Sequence, residues 1–260
     1  MRALLLLALT LFVQAPAISP IQDGDAHGDP PFLLEEGWEL LLDGTSLSGW
    51  QACDPKAAHD WKAVRAIRYE RILGPTQLSG RGAGGGVILN GNGRTANLCT
   101  TRAFGDVEIY AEFMLAKGSN SGVYLQGLYE MQILDSWGTT EPMSSSDLGG
   151  IYHQWIDNRG VGGSAPRVNA SRRPGEWQSY QGWFRAPRFD AAGKKTEPAR
   201  FLRVLLNGQL VQQDVDVAGP TRAALDHAEG PSFPLMLQGD HGPVAFRNIH
   251  VRSLRPLVVR

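Results

Sequence analysis

Apolar and polar residues alternate with a period of two along most of the chain after residue 36, and that period predicts strands. Residues 106–115 (DVEIYAEFML) show it most cleanly. Val107, Ile109, Ala111, Phe113 and Leu115 fall on one face, and Glu108, Tyr110 and Glu112 on the other. Glu108 and Glu112 read here as charges on a solvated or groove-facing side. Residues 123–126 (VYLQ) and 129–134 (YEMQIL) are two shorter runs around Gly127-Leu128, the pattern of a hairpin. Further strands are predicted at 37–42, 87–89, 97–101, 177–184, 201–206 and 209–217, the last two joined at Asn207-Gly208. Another pair is read within 61–73, and apolar strands at 235–237 and 244–251. In the last of these, strict alternation puts Phe246 and Ile249 on opposite faces. Helical periodicity is nearly absent, with residues 222–228 the one candidate for a short helix. Roughly a dozen strands with almost no helix predict an all-β fold, sandwich or barrel.

Composition narrows the class. The 31 Gly and 16 Pro suit many turns, and 25 Lys+Arg balance 26 Asp+Glu with no long basic block, which argues against nucleic acid as a partner. Residues 1–17 (MRALLLLALTLFVQAPA) have a basic start, a short apolar run and an Ala-Pro-Ala cleavage pattern, the form of a secretory signal. That run is too short for a membrane span, which takes about 20 residues, and no other stretch qualifies. The expectation is an exported protein, periplasmic or extracellular. Residues 18–35 read as a flexible leader, 36–254 as one domain and 255–260 as a tail. Cys53 and Cys99 are the two cysteines; an exported chain can pair them, and two buried thiols are the other reading. Oligomeric state has no signal in the sequence.

Candidate chemistry centres on residues 118–137 (GSNSGVYLQGLYEMQILDSW). Glu130 and Gln132 lie two apart and so share one face of a strand. Asp135, five residues on, falls on the other face unless a one-residue bulge at Ile133-Leu134 returns it. Such a set can grip a polar ligand; a hairpin whose polar residues merely face water is the other reading. The long loop 139–168 brings Tyr152, His153, Trp155 and Arg159 close in sequence, and amphipathic aromatics can stack on sugar rings or plug a sheet edge. Asn120, Gln238, His241 and Arg247 complete the candidates. Glu130, Asp135 or His241 could also take a divalent cation, because hard cations bind carboxylate oxygens, although no ligand spacing fixes one. The Gly-rich stretch 81–86 (RGAGGG) lacks the pattern of a phosphate loop.

The motifs GSNSGVYLQGLYEMQILDS, GGIY, RVNASRRPGEWQ, FRAPRFDAAGKK, LLNGQLV and LQGDHGPVAFRNI, in this order, resemble the 3-keto-disaccharide hydrolase domain family over residues 36–254. The resemblance implies a concanavalin A-like jelly-roll sandwich of two curved antiparallel sheets, in an exported bacterial protein with a carbohydrate substrate. It also implies cleavage of glycosides oxidised at carbon 3, with Glu130, Gln132 and Asp135 in the family's Y-E-x-Q-x-x-D motif. That motif parallels the E-x-D-x-x-E set of sandwich-fold endoglucanases, but an amide replaces the middle acid and Asp the last Glu. This disfavours a retaining mechanism, which needs two carboxyls about 5–5.5 Å apart. The expectation is that Glu130, Asp135 and His241 act as acid and base in one groove, with Asn120, Gln132, Tyr152, Gln238 and Arg247 binding the sugar. A non-catalytic carbohydrate-binding module and a conventional glycoside hydrolase remain the alternatives.

Overall fold

A computed structural model describes residue 33 and residues 35–255. The expected secretion signal, nearly all of the leader and residues 256–260 of the tail lie outside the described residues.

The chain forms two stacked antiparallel sheets. The smaller has five strands in the order β2 (Trp50–Ala52), β6 (Leu98–Phe104), β17 (Phe233–Leu237), β8 (Asn120–Leu125) and β9 (Tyr129–Leu134). The larger runs β16 (Gln209–Val217), β15 (Ala199–Leu206), β12 (Gln178–Arg185), β7 (Val107–Leu115), β18 (Val244–Ser253), β5 (Val87–Leu89), β3 (Lys62–Glu70) and β4 (Gly74–Ala83), with β1 (Glu39–Leu42) also on β18. Two ribbons stand apart: β10 (Gln154–Ile156) with β11 (Arg159–Val161), and β13 (Arg188–Phe189) with β14 (Lys195–Glu197).

The alternation read from the sequence explains how the sheets stack. Ile109, Phe113 and Leu115 from the large sheet meet Val123, Leu125, Met131, Ile133 and Leu237 from the small one in a single core. Gathering these inward faces out of water is the main driving force, roughly 1.5–3 kcal/mol per fully buried aliphatic or aromatic side chain. The all-β sandwich is therefore what the sequence predicts.

Three local expectations are corrected. Residues 222–228 form no helix, because Ala223 has φ +63°, outside the right-handed region, and the Leu225 N–H goes to the Gly127 carbonyl. Phe246 and Ile249 both face the core rather than opposite faces. The register shifts between Arg247 and His250, with Asn248 at φ +54°, and this bulge resets the alternation. Glu108 and Glu112 are not solvated charges. Both are buried on the outer face of the large sheet, Glu108 beneath Arg252 at 2.6 Å and Glu112 beneath Arg247 at 2.6 Å.

Cys53 and Cys99 are joined in a disulfide 46 residues apart in sequence. It ties the turn after β2 to β6 and packs with Tyr124 and Met236 on the outer side of the small sheet. Replacing both cysteines by serine is expected to cost about 2–4 kcal/mol, since the cross-link restricts the unfolded chain. The check is the shift in denaturant midpoint between the variant and the oxidised protein.

Candidate active site

The outer face of the small sheet is where polar chemistry collects. Strands β8 and β9 pair without a shift, setting Tyr124 opposite Glu130, Gly122 opposite Gln132 and Asn120 opposite Leu134. Val123, Leu125, Met131 and Ile133 point into the core, so Asn120, Gly122, Tyr124, Glu130 and Gln132 share the other face. Strand β17 continues the layer, with Met236 opposite Tyr124 and the Gln238 N–H bonded to the Gly122 carbonyl. On the far side of β9, Ile151 bridges Met131 and the Tyr152 N–H bonds to the Glu130 carbonyl, which brings Tyr152 beside Glu130.

Glu130 is the unusual member. It is only 2 % exposed, and its Oε2 has no hydrogen-bond partner. Gly122 makes room for it: a Cβ at position 122 would sit 2.1 Å from Oε1 and 2.9 Å from the Tyr124 ring. Burial raises the Glu130 carboxyl to about 8; the Tyr124 hydroxyl beside it opposes this, and the nearby Asp240 charge adds to it. At neutral pH the group is thus held mainly as the neutral acid. Tyr124 is fully buried, its hydroxyl donates to the Arg222 carbonyl at 3.2 Å, and burial beside Glu130 pushes it well above the usual phenol range. Asp240 and His241 sit on the loop after β17, about half exposed, with His241 Nδ1 and Asp240 Oδ1 2.6 Å apart. Gln132 accepts the Ile133 N–H through its side-chain oxygen at 3.0 Å.

Two expected members lie elsewhere. No bulge interrupts the β8–β9 ladder, which stays in register to Leu134, so Asp135 is not returned to Glu130's side. It instead accepts the Gly118 N–H at 2.8 Å and the Trp137 N–H at 3.4 Å, closing the turn, and its charge reaches Tyr69 of the large sheet. Arg247 is on the outer face of the large sheet, bonded to Glu112 and 4.1 Å above the Trp177 ring. The core separates it from Glu130. Asn120, Gln132, Tyr152 and Gln238 share the layer with Glu130, and His241 adjoins it through Asp240.

Sequence reading missed Tyr124, Gly122 and Asp240. The first two could have been found by carrying the hairpin register back from Glu130; Asp240 stands next to His241 in the same turn. The divalent cation left open at the outset does not fit well. Among the described residues no three His, Cys, Asp or Glu side chains gather into a ligand set. A surface depression of about 380 Å³ lies on the opposite sheet, lined by Asp60, Lys62, Gln77, Leu78 and Asn92 among others. Its lining comes from residues on or beside β3, β4 and β5, and none of it from β8 or β9. No helix among the described residues is long and apolar enough to cross a membrane.

Comparison with known proteins gives a consistent picture. A family model described as a 3-keto-alpha-glucoside-1,2-lyase-like domain matches residues 37–252. A candidate glycosyl hydrolase from Parabacteroides distasonis superposes with a TM-score of 0.62 at 26 % identity, covering 84 % of each chain. A second from the same organism superposes at 0.51 with 17 % identity, over 85 % of this chain and 95 % of its own, and shows the shared fold. A search of the curated proteins found no match.

Proposed function

Because the chain belongs to the 3-keto-alpha-glucoside-1,2-lyase-like domain family, we propose that its carbohydrate-directed activity is cleavage of glycosides bearing a ketone at carbon 3, with Glu130 as the acid. The observation that carries this is a carboxyl buried on the polar face of the small sheet with one oxygen unpartnered, where burial raises its titration to about 8.

A ketone at carbon 3 acidifies the hydrogen on carbon 2. His241 is the base: Asp240 engages Nδ1, which leaves Nε2 to take that proton. The bonding electrons pass to the carbon-3 oxygen as an enolate. The Gln132 amide, whose oxygen is already occupied by the Ile133 N–H, turns its donor end to this oxyanion, and Gln238, bonded through its N–H to the Gly122 carbonyl opposite Gln132, assists it. The enolate then collapses. The carbon-3 carbonyl re-forms, a double bond forms between carbons 1 and 2, and the bond from carbon 1 to the leaving oxygen breaks. Glu130 delivers its proton to that oxygen. Water adding across the new double bond completes a net hydrolysis; release before that gives the unsaturated ketone. No step is routed through a cation. The N-terminal apolar run supports export as the setting.

Incubation with matched native and 3-keto glycosides, with and without chelator, tests the assignment. Release only from the oxidised sugar is expected, insensitive to chelator. Release from the unoxidised sugar would instead mark a conventional hydrolase, and binding without product a carbohydrate-binding module. Asp240→Asn is expected to lower the pH at which activity falls, because removing a negative charge beside Glu130 makes its proton easier to lose. A pH–rate profile whose alkaline limb stays in place would separate Asp240 from Glu130.

A further inference from the structure

An aromatic run leads away from the buried acid. Tyr152 adjoins Glu130, the His153 ring lies 4.2 Å from Tyr152, and Trp155 lies 6.1 Å beyond His153. Trp155 sits on the ribbon β10–β11, paired with Gly160, and is 46 % exposed. A large aromatic held this far in water is the kind of residue that forms a contact surface. The guanidinium of Arg222 covers part of it at 3.9 Å, a cation–π contact that fixes the ring's attitude.

The support under this ring is stiff. Asp157 and Asn158, at φ +49° and +60°, close the ribbon in a tight turn. The His153 ring packs so closely on Gly160 that a Cβ there would meet it at 2.7 Å. The Arg222 N–H bonds the His153 carbonyl, while the Arg222 carbonyl receives the Tyr124 hydroxyl. The main chain at Arg222 therefore ties the ribbon to the partner of the acid. The neighbouring Thr221 N–H bonds the Leu128 carbonyl in the β8–β9 turn. Burial and the Arg222 charge also hold the His153 imidazole below its ordinary range, which favours an uncharged ring between the two larger aromatics.

We propose that the β10–β11 ribbon carries the subsite for a second ring, with Trp155 as its stacking platform and Arg222 as a donor at the ring's edge. A glycoside with a cyclic leaving group is then held at two points, and a simple alkyl glycoside at one. This deepens the assignment of Glu130 as the acid and rests on it. The ribbon begins at Gln154, two residues after Tyr152, whose N–H bonds the Glu130 carbonyl, so the aromatic run starts at the acid's own strand edge. A platform on a preformed scaffold adds affinity without an ordering cost at binding.

Calorimetric titration separates the outcomes. The ligands are a 3-keto disaccharide and methyl 3-ketoglucoside, each titrated into Glu130→Gln protein so that turnover does not intervene. The same titrations follow with Trp155→Ala and Trp155→Phe added. The unoxidised disaccharide and methyl glucoside are titrated into protein with Glu130 intact, with and without Trp155→Ala. Trp155→Ala is expected to raise Kd for the disaccharide roughly tenfold, the scale of one well-placed ring contact, and to leave the methyl glycoside unchanged. Trp155→Phe should keep most of the disaccharide affinity. An equal change for both ligands, no change for either, or no disaccharide binding would overturn the platform. Disaccharide binding that depends on Trp155, in a protein that cleaves neither 3-keto ligand, would sink the cleavage assignment and leave the platform standing. Cleavage of both ligands, with Trp155→Ala affecting them alike, would do the reverse.

Discussion

Glu130→Gln is expected to slow turnover of a 3-keto glycoside by at least about 10²-fold and, at the same time, to make the protein harder to unfold at pH 8. Both effects come from one fact: the folded protein raises this carboxyl from an ordinary value to about 8. The group binds its proton more tightly in the folded state than in the unfolded chain. Its contribution to stability is therefore complete below the unfolded value near 4.5 and is lost as pH rises towards 8. Each unit of difference corresponds to about 1.4 kcal/mol, so the loss amounts to a few kcal/mol. Glutamine has nearly the same shape and no charge to bury. The unfolding free energy of the variant should accordingly be flatter between pH 5 and 8 than that of the wild type, and higher at the alkaline end. Wild-type kcat/KM should fall as pH passes about 8, where the acid loses its proton. Parallel stability curves for the two proteins would mean that Glu130 titrates normally, and the acid assignment would go with them.

Arg252→Ala should be among the most destabilising single changes on the surface, at about 3–5 kcal/mol. Glu108, fully buried, accepts Arg252 Nε at 2.6 Å and the Gln181 amide at 2.9 Å. The Arg252 guanidinium also stacks 4.5 Å over Trp38 and reaches Glu35 at 3.0 Å. Its removal strands a carboxylate where water does not reach, and that desolvation, rather than the lost attraction, sets the cost. Adding Glu108→Gln to the same protein should recover most of the loss, because the stranded charge is gone. Arg200→Ala supplies the contrast. Its two bonds to Asp216, at 2.6 and 2.8 Å, are as short, but both partners are well exposed, and such pairs contribute at most about 1 kcal/mol. Denaturant curves for the four proteins test the argument. A loss at Arg252 no greater than at Arg200 would show that Glu108 finds water or another partner.

How much of this was legible in the sequence depends on the range of the signal. Period-two alternation is a local property, so the strands at 106–115 (one residue too long at its start) and 129–134, and the sandwich they build, could be read directly. Both errors of facing came from bulges. One was expected at Ile133-Leu134 and is absent; another at Arg247–Asn248 was unexpected and put Phe246 and Ile249 on the same side. A bulge depends on the pairing of a strand with its neighbours, which alternation along one strand does not record. Glu108 and Glu112 were misjudged for a related reason. The arginines that cover them come from β18, more than 130 residues away in sequence. Within the candidate site, Glu130, Gln132, Asn120 and Tyr152 were found because hairpin and neighbouring bridge are close in sequence. The depth of burial that alters Glu130 depends on loops folding over the sheet, and no spacing rule announces it.

The bare backbone at Gly122 joins two positions of the chain into one heritable unit. A side chain at 122 would have to displace the Glu130 carboxyl, since its first carbon would come within 2.1 Å of Oε1 and 2.9 Å of the Tyr124 ring. Any residue larger than glycine there would therefore be felt first as a shift of the acid, and only afterwards as a change in the strand itself.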